Sequence, residues 1–212
     1  MNIVLIGASG FIGSALLAEA SRRGHTVTAL VKNPARVVPR DGVTAVAVDV
    51  NDGAALTTAL RGHDAVLSAF SGHAETDVLG AYRRGFRSIL GALKASGVPR
   101  LLLVGGAASL QVAPGVELLD TPAFPAQWKA TALGARDALM ALRDDAQLDW
   151  TVLSPSAHIE PGRRTGTFRL GTEQLLVDAT GESRISLEDY AVAMIDELEK
   201  PGHTRQRFTV GY

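Results

Sequence analysis

The sequence predicts an α/β fold, a doubly wound parallel sheet with helices on both faces. Three observations predict it. An apolar strand over 2–6 runs straight into Gly7-Ala8-Ser9-Gly10-Phe11-Ile12-Gly13 and then into an amphipathic stretch over 14–23. Strand-like and helix-like segments then alternate with short connections along the chain, the order that parallel strands covered on both faces require. At 212 residues, 46% of them hydrophobic, the chain is also long enough to bury one large core.

The elements follow in order. A second strand over 25–31 ends at Lys32, and a third covers 43–48. Asp49-Val50-Asn51-Asp52 then leads into a helix over 53–61, and a fourth strand spans 65–69. A long helix over 77–96 stops at Gly97 with Pro99 beyond, because glycine accepts the helix-ending conformation and proline cannot continue it. The fifth strand, 101–104, is wholly apolar and is closed by Gly105-Gly106. A helix over 126–143 and a sixth strand over 150–153 complete the regular part. Leu16, Leu17, Ala20 and Leu133, Ala138, Leu142 recur at helical spacing and are expected in the core. Residues 162–176 read as a small irregular excursion. A helix begins in Arg184-Ile185-Ser186-Leu187-Glu188-Asp189-Tyr190-Ala191 and runs to Lys200, with Ser186 and Asp189 as a reciprocal capping box. The last strand is 207–210. One domain is expected over 1–212, with 155–212 forming a cap on the substrate side.

The glycine run carries the chemistry. Gly7 turns the chain, Gly10 lets backbone approach a pyrophosphate with no Cβ in the way, and Gly13 lets the helix pack closely on the strand. The N–H groups and positive dipole end of that helix would face phosphates. A dinucleotide is the expected ligand. About twenty residues beyond such glycines, an NAD site places an Asp or Glu on the ribose hydroxyls. Here the strand ends in Lys32-Asn33-Pro34-Ala35-Arg36. A carboxylate would repel a 2′-phosphate, whereas Lys32 and Arg36 can pair with one. NADP(H) is therefore expected, with NAD(H) as the alternative if these are merely two solvated cations.

Composition narrows the class. The 21 Lys and Arg residues nearly balance the 22 Asp and Glu, with no block of either sign, so neither nucleic acid nor a membrane surface is an expected partner. The absence of cysteine excludes disulfides and thiolate chemistry, and the five histidines form no ligand pair at helical spacing, so no metal is expected. No basic leader precedes the first strand, and no apolar run approaches the roughly eighteen residues of a membrane helix. A cytoplasmic location is expected. Oligomeric state is left open.

The three-residue glycine spacing, with Ala8 and Ser9 in the first gap, resembles that of the short-chain dehydrogenase/reductase superfamily, whose fold is Rossmann-type. Further blocks are Ser68-Ala69-Phe70; Leu103-Val104-Gly105-Gly106-Ala107-Ala108-Ser109-Leu110; Asp120-Thr121-Pro122-Ala123-Phe124-Pro125; Asp149-Trp150-Thr151-Val152-Leu153-Ser154-Pro155; and the 185–191 stretch. Together they resemble the NADH-flavin reductases, a group related to biliverdin-IX-beta (flavin) reductase. The resemblance implies that Gly7, Ser9, Gly10, Phe11, Ile12 and Gly13 line the pyrophosphate and that Asp49 and Val50 flank the adenine. It places Ser68, Ala69, Phe70 and Gly105 on the nicotinamide side, with Pro155 and Ser156 beside the ring.

Most of that superfamily uses Tyr-x-x-x-Lys on the helix after strand five, where the lysine lowers the tyrosine pKa so that it can shuttle a proton. In this chain Lys129 takes the tyrosine place and Leu133 the lysine place, and none of Tyr82, Tyr190 and Tyr212 has a lysine four residues on. Flavin reduction suits that loss, because positioning two rings replaces proton donation by a tuned acid. The expected reaction is hydride transfer from NADPH to a small conjugated acceptor, a flavin that binds as a dissociable substrate. Ser109 and His158 are the candidate catalytic side chains, and Lys129 is a candidate for a flavin phosphate. For His158 and Lys129 the alternative is a solvated surface group. Two other functions stay open: an NADP(H) sensor without turnover, and an epimerase or dehydratase, which would need the tyrosine and a larger substrate lobe.

Overall fold

In the computed structural model, which describes residues 1–212, alternating strands share one eight-stranded sheet. Its strands are β1 (Asn2–Ile6), β2 (Thr26–Val31), β3 (Val43–Ala47), β4 (Ala65–Ser68), β5 (Arg100–Val104), β8 (Asp149–Ser154), β10 (Arg169–Gly171) and β12 (Gln206–Gly211). The short strands β6 (Gln111–Ala113) and β7 (Val116–Glu117) form a hairpin, and β9 (His158–Glu160) pairs with β11 (Arg184–Ser186). The spatial order is β10-β12-β8-β5-β4-β1-β2-β3, parallel throughout except for β10. Strand order therefore reverses between β1 and β4, which opens a crevice there at the carboxyl ends of the strands.

Side-chain alternation divides the core in two. Ile3, Leu5, Val27, Ala29, Ala65, Leu67 and Leu153 pack under α1 (Phe11–Arg22) and α5 (Leu187–Glu199). Val4, Ile6, Leu30, Val66, Leu101, Leu103 and Val152 pack under α2 (Gly53–Leu60), α3 (Val78–Ser96) and α4 (Lys129–Arg143). Period-two strands buried on both faces read as continuous apolar runs, as seen in Leu101-Leu102-Leu103. Asp52 and Asp77 cap α2 and α3 by accepting from the N–H groups of Ala55 and Gly80. No helix is long and apolar enough to cross a membrane.

The structure differs from expectation at the C-terminal third. The excursion over 162–176 contains β10, which adds an antiparallel edge to β12. Residues 184–186 are a strand paired with β9, so the last helix starts at Leu187 with Ser186 as its cap. Ser186 Oγ accepts from the Asp189 N–H as expected, but the Asp189 carboxylate does not reach back. It accepts instead from the Thr165 and Gly166 N–H groups, the Thr165 hydroxyl and the Tyr212 hydroxyl. A buried carboxylate with four donors from a neighbouring loop and the chain end is better satisfied there than by one local N–H. Residues 126–128 form a 3₁₀ turn before α4 rather than its first turn.

Candidate functional site

The glycine turn closes the crevice floor. Gly7 has φ +79° and donates its N–H to Leu30 O at 2.9 Å. A Cβ on it would sit 2.9 Å from Ala69 O, at the end of β4. A Cβ on Gly13 would sit 2.1 Å from Gly7 O, so only glycine lets α1 lie this close to β1. Gly10 is the N-cap of α1, has no capping side chain, and a Cβ there would meet only Gly7 O at 3.2 Å. The first N–H groups of α1 thus have no side-chain cap, and the backbone cradle beside them carries no Cβ at Gly7 or Gly10. That cradle fits a pyrophosphate. Ser9 is half-buried, Phe11 exposed, and Ile12 packs against the α1–α5 core.

Among the residues expected near the adenine and 2′-phosphate, the structure adds one that the sequence reading did not single out. Lys32 Nζ lies 3.0 Å from Glu75 Oε1, with both side chains about half exposed. Glu75, followed by the nearby Asp49 charge, raises the Lys32 pKa. Arg36 is exposed at the end of the turn Pro34–Arg36, which Asn33 caps by accepting from the Ala35 N–H. Asp49 is exposed and accepts from the Asn51 backbone and side-chain N–H groups, while Val50 is buried.

The residues expected on the nicotinamide side are less uniform. Ser68 and Ser154 end β4 and β8 on either side of β5, both buried with hydroxyls lacking a partner. Gly105 fills the gap after β5, where a Cβ would press on Val152 at 2.6 Å. Ala69 and Phe70 adjoin Gly7 through backbone only. The Phe70 ring packs into α3 beside Tyr82 and against Gly85, where a Cβ would lie 2.3 Å from it. Pro155 and Ser156 are buried, and the Ser156 hydroxyl donates to Val210 O at 2.9 Å. His158 is exposed on β9, tied by its backbone N–H to Ser183 O. Lys129 is exposed at the start of α4.

Ser109 requires correction. It is 6% exposed, and its hydroxyl accepts from the Arg207 guanidinium at 3.0 Å. Arg207 is itself buried and paired with Glu173, which also takes Arg143. The hydroxyl is a joint between the 3₁₀ turn after β5 and β12, so the geometry does not support it as a group that meets substrate. The tyrosines are equally committed. Tyr190 donates to Leu153 O at 2.7 Å, and Tyr212 donates to Asp189 at 2.7 Å with Ser186 Oγ at 2.8 Å. Tyr82 is walled in by Gly134, where a Cβ would lie 2.8 Å from its ring. Burial raises all three phenol pKa values, the opposite of what a proton shuttle needs.

Two further side chains were missed. Trp128 is 53% exposed, and His73 meets its ring edge-on at a centroid distance of 6.0 Å. Only Trp128's place early on the helix after strand five could have drawn attention to it; His73 had no sequence signal. The cavity of about 490 Å³ between Glu160, Gly162, Thr165, Arg184 and Tyr212 shares no residue with the glycine turn. No group of three His, Asp or Glu side chains is arranged to hold a metal ion.

Comparison with known proteins fits this geometry. Residues 7–201 match a family described as NAD(P)H-binding. The chain is 41% identical to the uncharacterized protein YwnB of Bacillus subtilis (strain 168), over 99% of this chain and 98% of that protein. It is similar to a solved structure from Bacteroides thetaiotaomicron, provisionally named an epimerase, with TM-score 0.93, 41% identity and coverage of 100% and 96%. A Streptococcus pneumoniae TIGR4 structure, provisionally named an NADH-flavin reductase, superposes with TM-score 0.88 and 33% identity, covering 100% and 99%.

Proposed function

Because this chain belongs to the NAD(P)H-binding family, we propose that it is an NADPH-dependent reductase whose acceptor is a flavin or similar conjugated ring, taken up and released as a substrate. The observation that carries this reading is a pairing. The dinucleotide cradle is intact, while every tyrosine hydroxyl that could serve alcohol chemistry is buried or bonded elsewhere. The provisional reductase name of the Streptococcus relative supports it.

The chain's own residues would divide the work as follows. The α1 N–H groups and Gly7–Gly13 hold the pyrophosphate, and Lys32 and Arg36 meet the 2′-phosphate once Glu75 has swung away. Asp49 and Val50 flank the adenine. Backbone at Ala69 and Phe70, beyond the end of β4 at Ser68, borders the nicotinamide ribose, and Pro155 and the Ser156 backbone wall the ring, with His158 at the rim. Bound in this way, the reduced nicotinamide supplies hydride to an acceptor ring beside it. Positioning then supplies most of the rate enhancement. Lys129 is exposed at the start of α4 and suits an acceptor phosphate.

An epimerase would need a proton-shuttling tyrosine, which two buried phenols and a third bonded to Asp189 do not provide. An NADP(H) sensor without turnover is favoured by one observation, the commitment of Ser109 to Arg207. The discriminating experiment is anaerobic NADPH oxidation with FMN, FAD or riboflavin. Acceptor-dependent oxidation supports the reductase, with His158→Ala slowing it about tenfold to a hundredfold at most, less than loss of a true general acid. Tight NADPH binding with no oxidation by any acceptor would favour the sensor.

A further inference from the structure

Of the two tryptophans, Trp150 is 3% exposed in the core, whereas Trp128 leaves 53% of its surface in solvent. A large aromatic left in water forgoes burial that the fold could have used, so its exposure calls for an occupant. The indole is also held in place. The His73 ring stands against it at an interplanar angle of 86°, and His73 Nε2 lies 3.3 Å from Thr131 Oγ1, nearly one turn further along α4. The segment carrying His73 is pinned at its root, because Gly72 lies so close to α3 that a Cβ would sit 2.9 Å from both Tyr82 N and Val78 O.

Trp128 and His73 belong to segments that follow β5 and β4, adjacent strands. Both therefore lie at the carboxyl end of the sheet, where the glycine turn also lies. The segment bearing His73 reaches the cofactor's basic site as well, since Glu75, two residues on, is the partner of Lys32. An edge-on neighbour takes up at most one face of the indole and leaves the other for stacking.

We propose that Trp128, held by His73 and Thr131, is the platform on which the planar ring of the acceptor stacks. The assignment rests on the reductase reading and gives it a substrate-binding residue. The chemistry selected is an electron-poor, flat, conjugated ring, which an indole face stacks against well. Lys129, adjacent in the chain and exposed, lies where a phosphate on that ring's side chain could be met.

The test uses riboflavin and the full-length protein. Riboflavin emission is titrated with wild type, Trp128→Leu, Trp128→Phe and His73→Ala, with and without NADP⁺, and riboflavin-dependent NADPH oxidation is measured in parallel. Riboflavin should quench the emission of Trp128 but leave that of buried Trp150 in Trp128→Leu unchanged. Riboflavin affinity should fall at least tenfold in Trp128→Leu, about threefold in His73→Ala, and by less than threefold in Trp128→Phe. KM for riboflavin should follow these affinities, with NADPH affinity unchanged. Trp128 is exposed enough that these variants should fold, and unchanged melting temperatures would verify it. Turnover with riboflavin whose KM is the same in all four proteins would overturn the platform and leave the reductase standing. Riboflavin binding that depends on Trp128, with no NADPH oxidation by riboflavin, FMN or FAD, would sustain the platform and overturn the reductase. No binding in wild type would overturn the platform.

Discussion

Gly10 and Gly13 stand three residues apart in one motif, yet the space around them gives them different duties. A Cβ at Gly13 would meet Gly7 O at 2.1 Å, a backbone clash with no flexible atom to yield. Gly13→Ala should therefore destabilise the fold itself, by about 2 kcal/mol or more, measured by denaturant unfolding. At Gly10 the contact, 3.2 Å from Gly7 O, is tight but asks for a shift of only a few tenths of an ångström. Gly10→Val should still fold cooperatively, at a cost of about 1 kcal/mol as a poorer cap, while calorimetry finds nucleotide binding lost because the branched side chain occupies the phosphate cradle. Lys32 offers another residue-scale test. Its pair with Glu75 is exposed and worth about 1 kcal/mol or less. Glu75→Gln should tighten NADPH binding about twofold to fivefold and leave NADH nearly unchanged, whereas Arg36→Ala should narrow the preference for NADPH by about tenfold or more. Equal effects on both nucleotides would show that the 2′-phosphate binds elsewhere. The glycine turn was legible in the sequence because it is a local pattern, whereas the Glu75 carboxylate beside Lys32 has no local signature. Ser109 was misread because what decides its role, Arg207, lies 98 residues away.

At the scale of elements, α1 and α5 are joined through a buried carboxylate. Glu19 of α1 is 5% exposed and is contacted by Arg22, Arg23 and Arg164, while Arg23 continues to Asp196 and Glu199 of α5. Burial, the largest single effect, pushes the Glu19 carboxyl up, but the three guanidinium groups together bring it down from 4.5 to about 2. The folded state thus favours the ionised form. Its stabilisation is whole above about pH 4.5 and is lost as pH falls toward about 2, amounting to about 3 kcal/mol. Glu19→Gln should lower stability at neutral pH by about that much and flatten the acid limb between pH 4.5 and 2, as read by urea unfolding across pH. A variant with the wild-type acid limb would contradict this. Long elements with caps and stops, such as α3 between Asp77 and Gly97, were readable to within a residue. The two- and three-residue strands β6, β7, β9, β10 and β11 were not, because their pairing depends on distant partners rather than on local periodicity.

The whole molecule is a sheet whose order reverses between β1 and β4, and everything proposed for function gathers at that end. The alternation of strand and helix foretold this architecture, and the single turn at Gly7–Gly13 foretold where its crevice would lie. The proposed acceptor side was not legible. His73 meets Trp128, and Glu75 meets Lys32, only when the segments after β2, β4 and β5 converge in space. The most direct test of the reductase claim is a single-turnover experiment under anaerobic conditions, in which the protein loaded with NADPH is mixed with oxidised FMN and flavin bleaching is followed, with NADPH deuterated at the transferred position as the comparison. The account predicts bleaching in step with nicotinamide oxidation and slowed by deuterium in a primary isotope effect. A flavin that stays oxidised while NADPH remains tightly bound would contradict it.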